Sequence, residues 1–356
     1  MRSSPRSWTS PATETGTGTD EGVPVSDVHR PIFDLPFEGR LASFDGATAW
    51  LNSPPLTPEG LRGKVVLVDF WTYTCINWLR TLGYVRAWAE RYADSGLVVV
   101  GVHTPEFPFE GELDNVRWAS KEMRVEYPIA VDTDYAVWNA FGNRYWPAIY
   151  LADTEGRIRY HHFGEGEYDE TELAIRQLLR EAGAAGVGHD LVSVPNEGLE
   201  AQADWLHLES PETYLGYQQG RNFVSTGDAG FDRPHTYAAT ETLELNQWSL
   251  SGEWTIESGA ALVNRAGASV VFRFHARDVN LVLAPPAADV PVRFRVTVDG
   301  REPGDGHGLD TDEHGDGTIR EPRVYQLIRW RGPTADRTFE ITFLDAGARG
   351  YVFTFG

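Results

Sequence analysis

The sequence predicts two dissimilar halves, an α/β domain with helices on both faces of a mixed sheet and then an all-β sandwich. Three observations predict this. First, residues 65–70 (VVLVDF) form a short apolar run that leads directly into Ile76, Leu79, Leu82, Val85, Trp88 and Tyr92, spaced three or four apart. That is a strand covered on both faces followed by an amphipathic helix. Second, strand-like and helix-like segments alternate as far as residue 182. Third, beyond residue 200 only short alternating runs remain, separated by turn-formers.

The elements follow in order. Residues 1–25 are rich in Ser, Thr, Gly, Pro and acidic groups and are expected to be a disordered tail. The α/β domain is placed at 26–184, with an apolar, turn-rich lead-in before the first buried strand. Residues 97–102 (LVVVGV) read as a second strand, 113–123 as a helix, 128–131 as a short strand and 135–141 as a short helix. A hairpin follows, with strands at 148–151 and 157–163 and a turn at 153–156, and then an amphipathic helix at 170–182. The segment 185–200 has no periodicity and reads as a linker. In the second domain, 201–356, the runs 269–275, 279–283, 292–298, 324–330 and 339–344 carry the pattern of a sandwich, a jelly roll like that of carbohydrate-binding modules.

Composition narrows the partners. A net charge of −21 argues against nucleic acid and anionic membrane surfaces. No window reaches the run of about 20 apolar residues that spans a bilayer, and the first residues lack the apolar core of a signal peptide. A cytoplasmic protein with no membrane association is therefore expected. A single cysteine, Cys75, excludes a disulfide scaffold and fits a reducing compartment. No cofactor is expected.

Cys75 stands where the first helix begins. The free N–H groups and dipole at a helix start favour negative charge, so a lowered thiol pKa is expected. Asp69, Phe70, Trp71 and Cys75 match, in order and spacing, the site of the thioredoxin superfamily, in which a Cys-x-x-Cys follows a strand ending Asp-Phe-Trp. Here Trp78 takes the second cysteine's place, giving Cys-x-x-Trp, and a one-cysteine chain cannot run an intramolecular dithiol cycle. The resemblance implies a thioredoxin-like fold. The extra strand and helix between residues 127 and 142 resemble the TlpA and AhpC-TSA redoxin branch. Residues 72–88, 101–107 (GVHTPEF), 143–153, 157–170 and 210–217 (SPETYLGY) resemble the soluble C-terminal region of DipZ-type cytochrome c biogenesis proteins, over roughly 33–356. In that family a membrane-spanning conduit precedes these domains, and this chain resembles a detached, soluble version.

Several residues are candidates for the site. Cys75 reads as a nucleophilic thiolate, against a buried free cysteine. Thr72 stands three residues before it, as in the Thr-x-x-Cys of peroxiredoxins, although Val68 occupies the position of the peroxiredoxin proline. The resemblance makes Pro147 the cis-proline facing the thiol, with the Trp146 backbone offered to an incoming partner. It also makes Asp69 the buried general base, against a retained structural residue. Trp71, Tyr73, Trp78 and Trp146 form either an aromatic binding pocket or covered core. His103 ends a strand at the edge where α/β sites gather; His161 and His162 point to opposite faces and cannot easily share a metal. No metal is expected. Asp310, Asp312, Gly315 and Glu321 do have the spacing of a calcium loop, against an acidic hairpin loop. Trp205, Trp248, Trp254 and Trp330 fit either sugar stacking or sandwich core.

Two functions follow from these features. One is an antioxidant-type thiol oxidoreductase that attacks disulfides or peroxides through Cys75 and is recycled by an external thiol reductant, with disulfide-bearing proteins as partners. The other is a redox-inactive binding module whose sandwich recognises a carbohydrate or a protein.

Overall fold

All seven residues of the strand Val65–Trp71 (β3) are buried, and the N-terminal sheet is arranged around it. The computed structural model describes residues 34–356 except 189, 196, 226–229 and 241; the tail expected at 1–25 lies outside the described residues. In chain order the sheet strands are Gly39–Arg40 (β1), Ala49–Leu51 (β2), β3, Leu97–His103 (β4), Ile129–Val131 (β5), Ala148–Ala152 (β6) and Arg157–Phe163 (β7). Their spatial order is β1-β7-β6-β3-β4-β5-β2. β3, β4 and β5 are parallel, and the other pairings are antiparallel. The two short edge strands β1 and β2 fall in the lead-in that the sequence reading left without structure. Strands of two and three residues are too short to show alternation.

Alternate residues of β3 enter different cores, as the pleat requires. Val65, Leu67 and Trp71 join the helices Ile76–Tyr92 (α1), Leu113–Glu122 (α2) and Tyr168–Glu181 (α4). Val66, Val68 and Phe70 pack with Val137 and Trp138 of Ala136–Phe141 (α3) and with Phe44 of the lead-in. Glu172 of α4 ties this layer together. It is buried and accepts hydrogen bonds from Trp88 Nε1 (3.1 Å), the Tyr92 hydroxyl and the Val192 N–H (2.9 Å). The segment expected as a linker therefore lies along α1, where Arg86 also makes two bonds to Glu200, at 2.7 and 2.6 Å.

The C-terminal half is an antiparallel sandwich. Its strands are Thr213–Tyr214 (β8), His235–Tyr237 (β9), Trp248–Ile256 (β10), Ala261–Val263 (β11), Ser269–Phe274 (β12) and Asp278–Ala284 (β13). Val292–Val298 (β14), Asp316–Ile319 (β15), Arg323–Arg329 (β16), Arg337–Phe343 (β17) and Arg349–Phe355 (β18) complete it. One layer runs β15-β14-β17-β12-β10 and the other β10-β11-β18-β13-β16, with β9 on β10 and β8 on β18. β10 serves both layers: residues 248–251 pair with β12, and residues 252–256 pair with β9 and β11. The change of layer falls at Gly252, where φ is +87° and an added Cβ would lie 2.8 Å from the Ala268 Cα. Only glycine fits such a corner.

Trp248 and Trp254 are sandwich core, whereas Trp205 is 60% exposed. Trp330 carries the Arg337 guanidinium 3.8 Å from its ring centroid. In the segment 310–321, two of the carboxylates with calcium-loop spacing have protein partners. Asp310 binds Arg323 (2.6 Å) and the Gln326 N–H (2.8 Å), and Asp312 accepts the N–H groups of His314 and Asp316. These bonds brace the turn that leads into β15 and β16.

Tyr351 and Val352 of β18, Val282 and Ala284 of β13 and Val324 of β16 belong to the same apolar cluster as α1 and α2. Arg80 of α1 crosses this junction almost fully buried, paired with Glu165 (2.9 Å) and donating to the Phe355 carbonyl (3.0 Å). Removing one member of a buried pair strands the other charge. Arg80→Leu is therefore expected to lower stability by about 3–5 kcal/mol in urea unfolding. A loss below about 1 kcal/mol, the value of an exposed pair, would contradict this account.

Candidate functional site around Cys75

β3 and β4 end side by side, Trp71 opposite His103, and the chain turns from there into α1. Cys75 is the N-cap of α1. Its N–H bonds the Thr72 carbonyl (3.2 Å), and its carbonyl accepts the Leu79 N–H (3.0 Å). The residue is half-buried, with Sγ 3.7 Å from the carbonyl oxygen of Trp146. The Trp146–Pro147 bond is cis. Trp146 is fixed by an Nε1 bond to the Thr104 carbonyl (3.1 Å) and by packing on Trp138 at 4.3 Å. Cys75, Trp146 and Pro147 are thus brought together.

Behind the thiol, Trp78 Nε1 donates to Asp69 Oδ2 (3.0 Å), and the Tyr127 hydroxyl lies 3.4 Å from the same oxygen. Trp71 stacks on Trp78, with centroids 4.3 Å apart, over Gly101, where a Cβ would fall 2.8 Å from Trp71 Nε1. Burial pushes the Asp69 carboxyl up to about 7, against the opposing bonds from Trp78 and Tyr127. Trp71, Tyr73 and Trp78 are fully buried, which corrects the aromatic-pocket alternative: these rings are core, and of the four only Trp146 is partly exposed. Thr72 is also fully buried. His103 lies between Trp71 and Tyr73, and burial lowers its pKa to about 3, so it is neutral.

The sequence reading missed an acidic group in front of the thiol. Buried Glu110 accepts the N–H groups of Thr74 (3.2 Å), Glu106 (2.7 Å) and Phe107 (2.9 Å) and the Thr74 hydroxyl (2.7 Å). Glu106 takes a hydrogen bond from the Tyr214 hydroxyl, which also lies 3.1 Å from Glu212. Glu106 stands inside GVHTPEF, and Glu212 and Tyr214 inside SPETYLGY. The resemblance had singled out both phrases without giving these side chains a role.

The expected lowering of the thiol pKa is overturned. Burial pushes Cys75 well above its ordinary value and the Glu106 charge adds to this; the backbone N–H groups of Trp78 and Asn77 oppose it but are the smaller influence. The helix start favours a thiolate, but here desolvation outweighs it.

Asp69 also makes a stability prediction. Its proton affinity is higher folded than unfolded, so the native state keeps a proton between about pH 3.8 and 7 that the unfolded chain has lost. Stability should fall as pH rises through that window, by up to roughly 4 kcal/mol from this group. Asp69→Asn keeps an oxygen for Trp78 and is expected to flatten the fall in urea midpoint between pH 4 and 7.5. An unchanged slope in the variant would rule Asp69 out as its source.

Two family models match the chain. Redoxin covers residues 47–179, and a thioredoxin like C-terminal domain covers 210–356. Protein DipZ of Mycobacterium tuberculosis is 39% identical over 255 residues, which are 69% of this chain but 35% of that protein. The chain thus spans about a third of that relative's length. The thiol-disulfide oxidoreductase YkuV of Bacillus subtilis is 29% identical over 136 residues, covering 38% of this chain and 91% of YkuV. The solution structure of a thioredoxin-like protein in the oxidized form is 30% identical and aligns with a TM-score of 0.38, over 40% of this chain and 96% of that one. The chain is thus a thioredoxin-like, DipZ-like protein, with a redoxin domain followed by a thioredoxin like C-terminal domain.

Proposed function

We propose that the protein is a thiol-disulfide oxidoreductase that works through Cys75 alone and relies on an external thiol to finish each cycle. One observation carries this reading. The Cys75 sulfur faces the cis-Pro147 loop from the start of α1, while Trp78, bonded to Asp69, fills the position three residues on. The likeness to YkuV, named a thiol-disulfide oxidoreductase, supports it.

In this cycle the Cys75 thiolate attacks one sulfur of a partner's disulfide. The old S–S bond breaks, a Cys75–partner disulfide forms, and the second partner sulfur leaves as a thiolate that takes up a proton. An external thiolate then attacks the partner sulfur of that mixed disulfide and returns Cys75 as thiolate. Asp69 and Thr72 support the site from behind. A cytoplasmic setting, with its pool of small thiols, fits this cycle. Disulfides are favoured over peroxides because Thr72, which would hold a peroxide, is fully buried.

The test is a mixed disulfide. Native protein incubated with glutathione disulfide should gain one glutathionyl group at Cys75 by mass spectrometry and lose it on addition of a thiol. Cys75→Ser should gain none. If the native protein takes no adduct while the unfolded chain does, the exchange reading fails. The binding-module reading, with Trp205 and Leu206 exposed by 60% and 90%, would then replace it.

A further inference from the structure

We propose that Glu106, held by Tyr214 of the sandwich, governs the reactivity of Cys75, so that the C-terminal domain completes the thiol site. The inference rests on the proposed function for its biological use but not for its test. Tyr214 lies on β8, which pairs with β18, so the sandwich sets its position. Its hydroxyl donates to Glu106 and lies 3.1 Å from Glu212 Oε2. A hydroxyl carries one proton, so both contacts close as hydrogen bonds only when one of the two carboxyls keeps its own proton.

Burial raises the proton affinity of both carboxyls, Glu212 and Glu106. It pushes Glu106 up to about 8, and the charges of Glu212 and Glu110 add to this. Its backbone is fixed to the thiol turn through Glu110, which binds the Glu106 N–H on one oxygen and Thr74, the residue before Cys75, on the other. Glu106 is hydrogen-bonded to Tyr214 of the sandwich and, through its N–H, to Glu110, and it interacts electrostatically with Glu110, Glu212, Tyr135 and Cys75. None of these is a cation. Glu106 and Cys75 thus compete for the right to carry negative charge, and their titrations are coupled. When Glu106 ionises it opposes the thiolate; when it is neutral that opposition is gone. Glu106 is accordingly a positioning residue that acts on the thiol through its charge.

The test is the pH profile of Cys75 labelling by iodoacetamide in the full chain, for wild type, Glu106→Gln, Tyr214→Phe and Glu122→Gln. Glu106→Gln should move the profile down by about one pH unit, which is roughly tenfold faster labelling at a fixed pH below the plateau. Tyr214→Phe removes a donor that favours ionised Glu106, so it should shift the profile the same way by a smaller amount. Glu122→Gln removes an exposed charge on α2 and should change nothing. A folded Glu106→Gln protein, checked by its thermal melt, that keeps the wild-type profile overturns the proposal, as does an equal shift in Glu122→Gln. If Glu106→Gln does not fold, an unshifted Tyr214→Phe profile overturns it. A shift without any glutathionyl adduct would leave this inference standing and sink the exchange cycle; an adduct without a shift would do the reverse.

Discussion

Glu110 is fully buried and accepts four hydrogen bonds, three from backbone N–H groups on two separate loops and one from the Thr74 hydroxyl. The geometry in front of Cys75 depends on this carboxylate. Hydrogen bonds to a charged acceptor contribute about 1.5–3 kcal/mol each, and a buried N–H left without one costs about as much. Burial raises the Glu110 pKa while these bonds hold it down. The result is a rigid joint between the turn that carries the thiol and the loop that carries Glu106 and Phe107. Phe107 in turn rests 4.9 Å from Tyr351, which carries the joint onto the sandwich.

The rear of the site is organised around Trp78. Its indole is fixed edge-on by Asp69 and face-on by Trp71. In a Cys-x-x-Cys site the same position holds a thiol free to attack a mixed disulfide. Here a large, immobile ring fills that volume, and Asp69 has an indole N–H as its partner instead of a sulfur. In the exchange cycle proposed above, this removes the internal route of release and leaves a captured partner dependent on a second molecule.

Much of the fold was legible because it is periodic. β3 and α1 were readable from residues 65–70 and from the spacing of Ile76 to Tyr92, and the five longer sandwich runs from their alternation. β1 and β2 were not, because such short edge strands exist only through their pairing partners. The local part of the site was equally plain, with Cys75 at the helix start and Pro147 before β6. Its electrostatics were not. Glu106, Glu110, Glu212 and Tyr214 come from segments separated by over a hundred residues, and their meeting is a product of tertiary packing. The expected thiolate failed for the same reason. The helix start is a local feature, whereas the desolvation that outweighs it belongs to the assembled whole.

The apolar cluster shared by α1, α2, β13, β16 and β18 has a consequence for how the chain comes apart. Two sequence domains normally melt as two units, but here Tyr351 and Val352 are core residues of the redoxin half as much as of the sandwich. A fragment cut within residues 185–200 would leave Phe107 and Phe109 without the ring that covers them. Such a fragment would expose this apolar surface to water, which favours aggregation. Proteolytic trimming between the two sequence domains would open this shared core, so the two halves are expected to be kept and lost together.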